Sequence, residues 1–164
     1  AATDIAYSFL RAAYFAQNLT GMHRPELVDR DEIFIPAGSG RLGIVDARDV
    51  GEVAATALTD RTHRNRAYTL TGANAIDFHE VARIASDVLD RELRYADPAI
   101  PRFAARMVNR GVAPGLVAFM IGEYTVARLG LASRTTTDVE AILGREPRTV
   151  RTFFTDHRAT FETA

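Results

Sequence analysis

The chain has 164 residues, a formal net charge of −1, 47% hydrophobic and 25% charged residues. That length suits one domain, burying roughly 70% of its unfolded surface, and the charge sets up no field that draws in nucleic acid or anionic lipid. Cysteine is absent, and all 20 basic residues are arginine. Disulfides, thiolate catalysis and Cys-ligated zinc are therefore excluded, as are a Tyr-x-x-x-Lys dyad, a Schiff-base lysine and a P-loop lysine built from this chain. A GC-rich coding sequence accounts for the arginine bias without any function.

Residues 5–11 are β-branched, aromatic and apolar, as in a buried strand, and residues 12–20 follow as a loop or short helix. Residues 32–36 read as a second strand and 42–45 as a short third. Asp49 opens a helix whose apolar positions Val50, Val53, Ala54, Ala57 and Leu58 keep helical spacing, with Glu52 completing a capping box. Residues 66–71 form another strand, ended by Gly72. Asp77 caps the next helix, with Glu80 at the matching offset and Val81, Ile84, Ala85, Val88 and Leu89 as its buried stripe. Thr137 and Glu140 repeat the device. Residues 93–95 suit an edge strand. Pro101 suits a first helical turn, with Gly111 as a stop, and Pro114 starts a longer apolar helix ending near Gly130. Gly144 ends a short helix, and residues 149–161 form a last one with Phe153, Phe154 and Phe161 as packing residues. Strands and helices alternate early and helices dominate late, which predicts the second half of a doubly wound sheet plus a helical lobe.

Ala1, Ala2, Thr3 and Asp4 carry no basic region before an apolar run, so no signal peptide is expected. The longest apolar run, 116–121, is too short to span a bilayer, and the cytoplasm is the expected compartment. The sequon at Asn18, Leu19 and Thr20 reads as chance.

Gly38, Gly40 and Gly43 match G-x-G-x-x-G, but no helix follows at once, and Asp46 and Asp49 stand where the phosphates would lie. A glycine-rich connection is the expected reading. His23, His63, His79 and His157 are never three or four residues apart, so no metal site is expected. There is no G-x-S-x-G elbow. Arginines are not clustered with aromatics, so nucleic-acid binding is not expected. The segment from Tyr7 to Asn18 stands out: a strand runs into an aromatic, amide-bearing loop, and open α/β sheets bind ligands at the carboxyl ends of strands. Its residues 11–18 form a pocket wall on one reading. On the other, Tyr14 and Phe15 are core and Asn18 is a cap.

Five blocks in order carry a resemblance. They are Tyr7 to Asn18, Ile33 to Asp49, Val50 to Asp60, Tyr68 to Gly72 with the helix from Asp77, and Gly144 to Phe154. The chain resembles NmrA-like, atypical short-chain dehydrogenases over most of its length, thinly between Ala96 and Ser133. The resemblance implies a Rossmann-type NAD(P)-binding fold whose members include quinone and other small-molecule reductases, and some non-catalytic redox sensors. It places Ala13 and Tyr14 beside the cofactor, NADP or NAD, and Tyr14, Phe15, Asn18, Val45 and Asp46 around a small-molecule substrate. It gives the Asp49 equivalent a capping role. Ala12 stands where the family has proline. The family's glycine-rich first half has no counterpart here. The expectation is a single domain over 1–164, the substrate-side C-terminal portion of an NAD(P)H-dependent oxidoreductase, that pairs with the other half or self-associates. A non-catalytic sensor of the same fold is the alternative.

Overall fold

A computed structural model describes residues 5–162. Ala1 to Asp4, on which the signal-peptide expectation rests, lie outside the described residues.

The α/β organisation is as expected. Strand β1 (Ser8–Ala12) pairs in parallel with β3 (Arg66–Leu70), Ser8 opposite Arg66 and Ala12 opposite Leu70. The crossover between them contains helix α2 (Ala47–Thr59), as parallel pairing requires. A second parallel pair joins β2 (Glu32–Phe34) to β4 (Arg94–Ala96), with α3 (Phe78–Leu89) in its crossover. Helix α1 (Arg24–Asp29) precedes β2. After β4 the chain is helical: α4 (Ile100–Asn109), α5 (Pro114–Arg128), α6 (Asp138–Leu143) and α7 (Val150–Asp156).

The main core fills the space between α1, α3, α4, α5, α7 and β2. Phe34, Phe78, Phe103, Phe153, Phe154 and Phe161 are all buried in it, each contributing about 2 kcal/mol by leaving water. Val53, Leu70 and Val139 make a smaller cluster under β1 and β3.

Four expectations need correction. The strand expected over 5–11 begins at Ser8 and is not buried: Phe9 is 55% exposed and Arg11 is also exposed. The described residues cover only the other face of β1, so its apolar pattern is not matched by burial here. Residues 42–45 form no strand of their own but make two isolated bridges, Leu42 with Ile76 and Val45 with Phe15.

Helix α2 starts before Asp49. Asp46, in extended conformation, accepts the Arg48 N–H at 2.9 Å and is the cap. Asp49 is then inside the first turn and fully buried, accepting from Arg145 at 2.7 Å, from the Arg148 backbone N–H at 2.7 Å and from the Arg148 guanidinium. Sequence alone shows two acids near a helix start. The arginines that claim the second lie almost a hundred residues away.

The Asp77 cap forms as expected, accepting from the Glu80 N–H at 2.9 Å. Its counterpart at α6 does not. Thr137 makes no capping bond, and the neighbouring Asp138 carboxylate instead accepts the Thr69 N–H of β3 at 2.7 Å. That bond ties the helical segment to the sheet.

Candidate functional site

The loop leaving β1 is held by main-chain bonds at the carboxyl end of the parallel pair. The Ala13 N–H donates to the Leu70 carbonyl at 2.9 Å, adding a rung to the ladder. The Val45 N–H donates to the Tyr14 carbonyl and the Ala16 N–H to the Val45 carbonyl, both at 2.9 Å. The segment 42–45, expected as a strand, thus serves as the splint of this loop. Residues 16–18 then wind into one 3₁₀ turn.

All six of the sequence-predicted residues meet here. Ala13, Tyr14, Phe15 and Asn18 are half-buried. Val45 is completely buried, so it supports the loop from beneath. Asp46 is brought to the same place but is 2% exposed, its carboxylate taken up within the chain. Gln17 Nε2 donates to it at 2.8 Å, and Arg48 donates from its backbone N–H at 2.9 Å and from its guanidinium at 2.7 Å. Burial acts against the charge, but the Arg48 and Gln17 hydrogen bonds prevail and hold the carboxyl at about 2. Gln17 completes the clamp by accepting the Ala47 N–H through Oε1 at 2.9 Å. The geometry makes Asp46 a brace between loop and helix.

The Tyr14 ring meets the Phe78 ring edge-on at 5.7 Å and lies 6.3 Å from the Tyr124 ring. Its hydroxyl is buried and has no hydrogen-bond partner among the described residues. Burial pushes this phenol well above its ordinary value, with the Tyr124 and Asn18 side chains pulling the other way. The surface Tyr14 leaves exposed is therefore not its hydroxyl.

Sequence reasoning missed three contributors. Gln17 lies inside the singled-out segment without a role of its own. His23 is fully buried and reaches Tyr124 Oη with Nε2 at 2.6 Å. Tyr124 is buried on α5 with Val117, Met120 and Ala127. Their spacing is helical, so the sequence could have placed Tyr124 on the buried face. Nothing local marks His23.

The glycine run does not cradle phosphates. A Cβ on Gly40 would sit inside van der Waals contact of the Ala127 carbonyl, so this glycine exists for close approach to the end of α5. The Gly38 N–H is already given to Asp97 Oδ1 at 3.1 Å. The dinucleotide's phosphates do not fit here, in line with the expected glycine-rich connection. An open groove of about 480 Å³ lies at the carboxyl end of β3, lined by Arg41, Asn74, Arg148 and Arg151 among others. Its arginines are engaged: Arg41 with the Ala75 carbonyl, Arg148 with Asp49 and Glu52, Arg151 with Asp87. Among the described residues no cluster of three or more His, Asp or Glu side chains is placed to hold a metal, and no helix is long and apolar enough to cross a membrane.

No protein-family model matches the chain. It is similar to the NAD(P)H azoreductase of Xenophilus azovorans, at 31% identity over 162 residues, covering 99% of this chain and 56% of that protein. Among solved structures it matches the Citrobacter triphenylmethane reductase complexed with NADP(H) at 27% identity and a TM-score of 0.78, covering 91% of this chain and 52% of the other. It matches the fold of the Escherichia coli NADPH-dependent quinone oxidoreductase with a TM-score of 0.84 at 19% identity, covering 95% and 56%. The fold is thus that of part of a Rossmann-type, NAD(P)-binding reductase with its helical lobe, as expected from the sequence. The chain spans about half the length of the curated relatives it matches.

Proposed function

We propose that this chain is the substrate-side, C-terminal portion of an NAD(P)H-dependent oxidoreductase acting on a small molecule. The observation that carries the reading is the azoreductase similarity, which runs through nearly the whole chain but only about half of the relative. The complete protein binds NADP or NAD, with the phosphates held by a nucleotide-binding half and the nicotinamide end reaching Ala13 and Tyr14. The substrate lies against Tyr14, Phe15 and Asn18, with Val45 and Asp46 bracing them from below. The cofactor supplies the hydride. This chain's residues orient the substrate and keep water from one side of it. The cytoplasm is the corresponding compartment.

The open side of β1 favours pairing with such a half. Among the described residues β1 is paired on one edge only, and the face carrying Phe9 and Arg11 is uncovered. Parallel sheets are normally covered on both faces. Beside it a groove of about 420 Å³ runs between Tyr7, Leu10, Ala57 and Leu58. Another parallel strand, with its helix, fits that edge and that groove.

The test is NADPH oxidation by the complete protein with an azo dye and with a quinone as acceptors. Turnover with either supports the reading. NADPH binding without turnover of either acceptor supports a non-catalytic sensor instead, which the burial of the Tyr14 hydroxyl favours. One-site NADPH binding by the 164-residue chain alone overturns the division of labour.

A further inference from the structure

The large apolar side chains that the described residues leave exposed fall mainly into two groups. Tyr7, Phe9 and Leu58 lie on or beside β1 and its groove, where the proposed nucleotide-binding half fits. Leu116, Phe119, Val126, Leu129 and Leu131 form the second group, on α5 and the turn that ends it. Phe119 is 61% exposed and Leu129 66%. The turn brings Leu131 back to the helix. Gly130 is left-handed there, its N–H donates to the Ala127 carbonyl at 2.8 Å, and the Leu131 N–H donates to the Val126 carbonyl at 3.1 Å, a Schellman ending.

Within α5 only Glu123 and Arg128 are charged, and Arg128 is taken by Asp97. A helix that is apolar all round is normally buried all round. This one is buried on one face, through Val117, Met120, Tyr124 and Ala127. At 3.6 residues per turn, Gly122 and Val126 stand roughly 160° round from Tyr124, so the outer face is turned away from Tyr14 and the loop after β1. On that face Gly115, Phe119, Gly122, Val126 and Leu129 follow one another at steps of four, three, four and three residues, the repeat of a helix that packs along another helix. A Cβ on Gly115 or Gly122 would meet nothing within 4 Å. Packing inside this chain calls for neither glycine, although glycine weakens a helix.

Set antiparallel against a copy of itself, this seam is complementary. Phe119 of each helix lies over Gly122 of the other, and Val126 over Gly115, large against small in both layers. One register satisfies both pairs, because each is centred on the same point, between Met120 and Ile121. The five exposed side chains present roughly 500 Å² of apolar surface, the size of patch that marks an interaction site and the larger part of what each partner buries in a standard interface, roughly 800 Å². We propose that the complete protein is a twofold dimer in which α5 packs antiparallel against α5 of a second copy, with Phe119 of each entering the notch at Gly122 of the other. Such a contact closes on itself, and it leaves the open edge of β1 to the nucleotide-binding half. It does not rest on the oxidoreductase reading.

The experiment is sedimentation velocity on the complete protein at tens of micromolar, unaltered and as Phe119→Glu and Gly122→Ala. A dimer is expected for the unaltered protein and a folded monomer for Phe119→Glu. The methyl of Gly122→Ala has open space in its own chain and favours the helix, so that variant is expected to stay folded. Because the same methyl overfills the layer beneath Phe119 of the other copy, its dimer is expected to dissociate roughly tenfold more readily. A monomeric unaltered protein overturns the proposal, and so does a dimer that Phe119→Glu leaves intact. A monomer that Phe119→Glu destabilises overturns it too, and assigns the face to the protein's own other half. If Phe119→Glu fails to fold in an otherwise dimeric protein, Gly122→Ala decides alone: a dissociation constant that does not rise overturns the α5 contact.

Discussion

His23 Nε2 lies 2.6 Å from Tyr124 Oη across 101 positions of sequence, and this bond closes the helical lobe onto the loop that follows β1. The ring is fully buried and its pKa is depressed to about 3. In the unfolded chain the same ring titrates near its ordinary value of about 6.5. Below that pH the unfolded state takes up a proton that the folded state refuses. Stability is therefore fully present above about pH 6.5 and falls as pH drops toward 3, by up to roughly 1 kcal/mol per pH unit. Urea midpoints measured from pH 8 to 4.5 should decline below pH 6.5. In His23→Gln the decline over pH 6.5 to 5 should largely vanish, even if the variant is less stable throughout. A variant curve parallel to that of the unaltered protein would sink the assignment of the slope to His23.

Asp49 is the acid most deeply committed to tertiary structure. Arg145 and Arg148 both point at it, and Glu52 shares them at 2.6 and 2.8 Å. Asp49→Asn leaves two arginines with a weaker partner. Because those arginines keep some solvent access, they recover part of their hydration, and the expected loss is about 2 kcal/mol in chemical denaturation. A change under about 0.5 kcal/mol would show that the cluster is held by Glu52 alone.

Two glycines should respond to alanine in opposite directions. At Gly40 the added methyl runs into the Ala127 carbonyl, so Gly40→Ala forces main chain apart and should cost about 3 kcal/mol. At Gly51, inside α2, the same methyl meets nothing within 4 Å. Gly51→Ala should stabilise by about 0.5–1 kcal/mol through helix propensity. Melting curves of the two variants side by side decide it, and equal effects would contradict the packing described for Gly40.

Leu58 is 88% exposed on α2, at the edge of the groove beside β1. Leu58→Arg should change the stability of the 164-residue chain by less than about 0.5 kcal/mol. If the proposed nucleotide-binding half occupies the groove, the substitution should lower the stability of the complete protein well beyond that. The same small effect in both would mean that nothing packs there.

The amino-acid pattern by itself determined most of the order of strands and helices, though not helix α1 and with one strand too many over 42–45, together with the Asp77 cap and the glycine and proline boundaries of α4, α5 and α6. Those features depend on residues within one turn or one pleat of each other, where spacing and local hydrogen bonding decide. It also marked the loop from Ala13 to Asn18, because an aromatic, amide-bearing segment after a strand is visible along the chain. Tertiary structure alone decided which of Asp46 and Asp49 caps α2, since the arginines that claim Asp49 arrive from the far end of the sequence. It likewise decided that Asp138 serves β3, that Gly40 is there for a carbonyl of α5, and that His23 and Tyr124 lie behind Tyr14. In each case the partner is remote in sequence, and a side chain's charge state, tautomer and burial are properties of its neighbours in space.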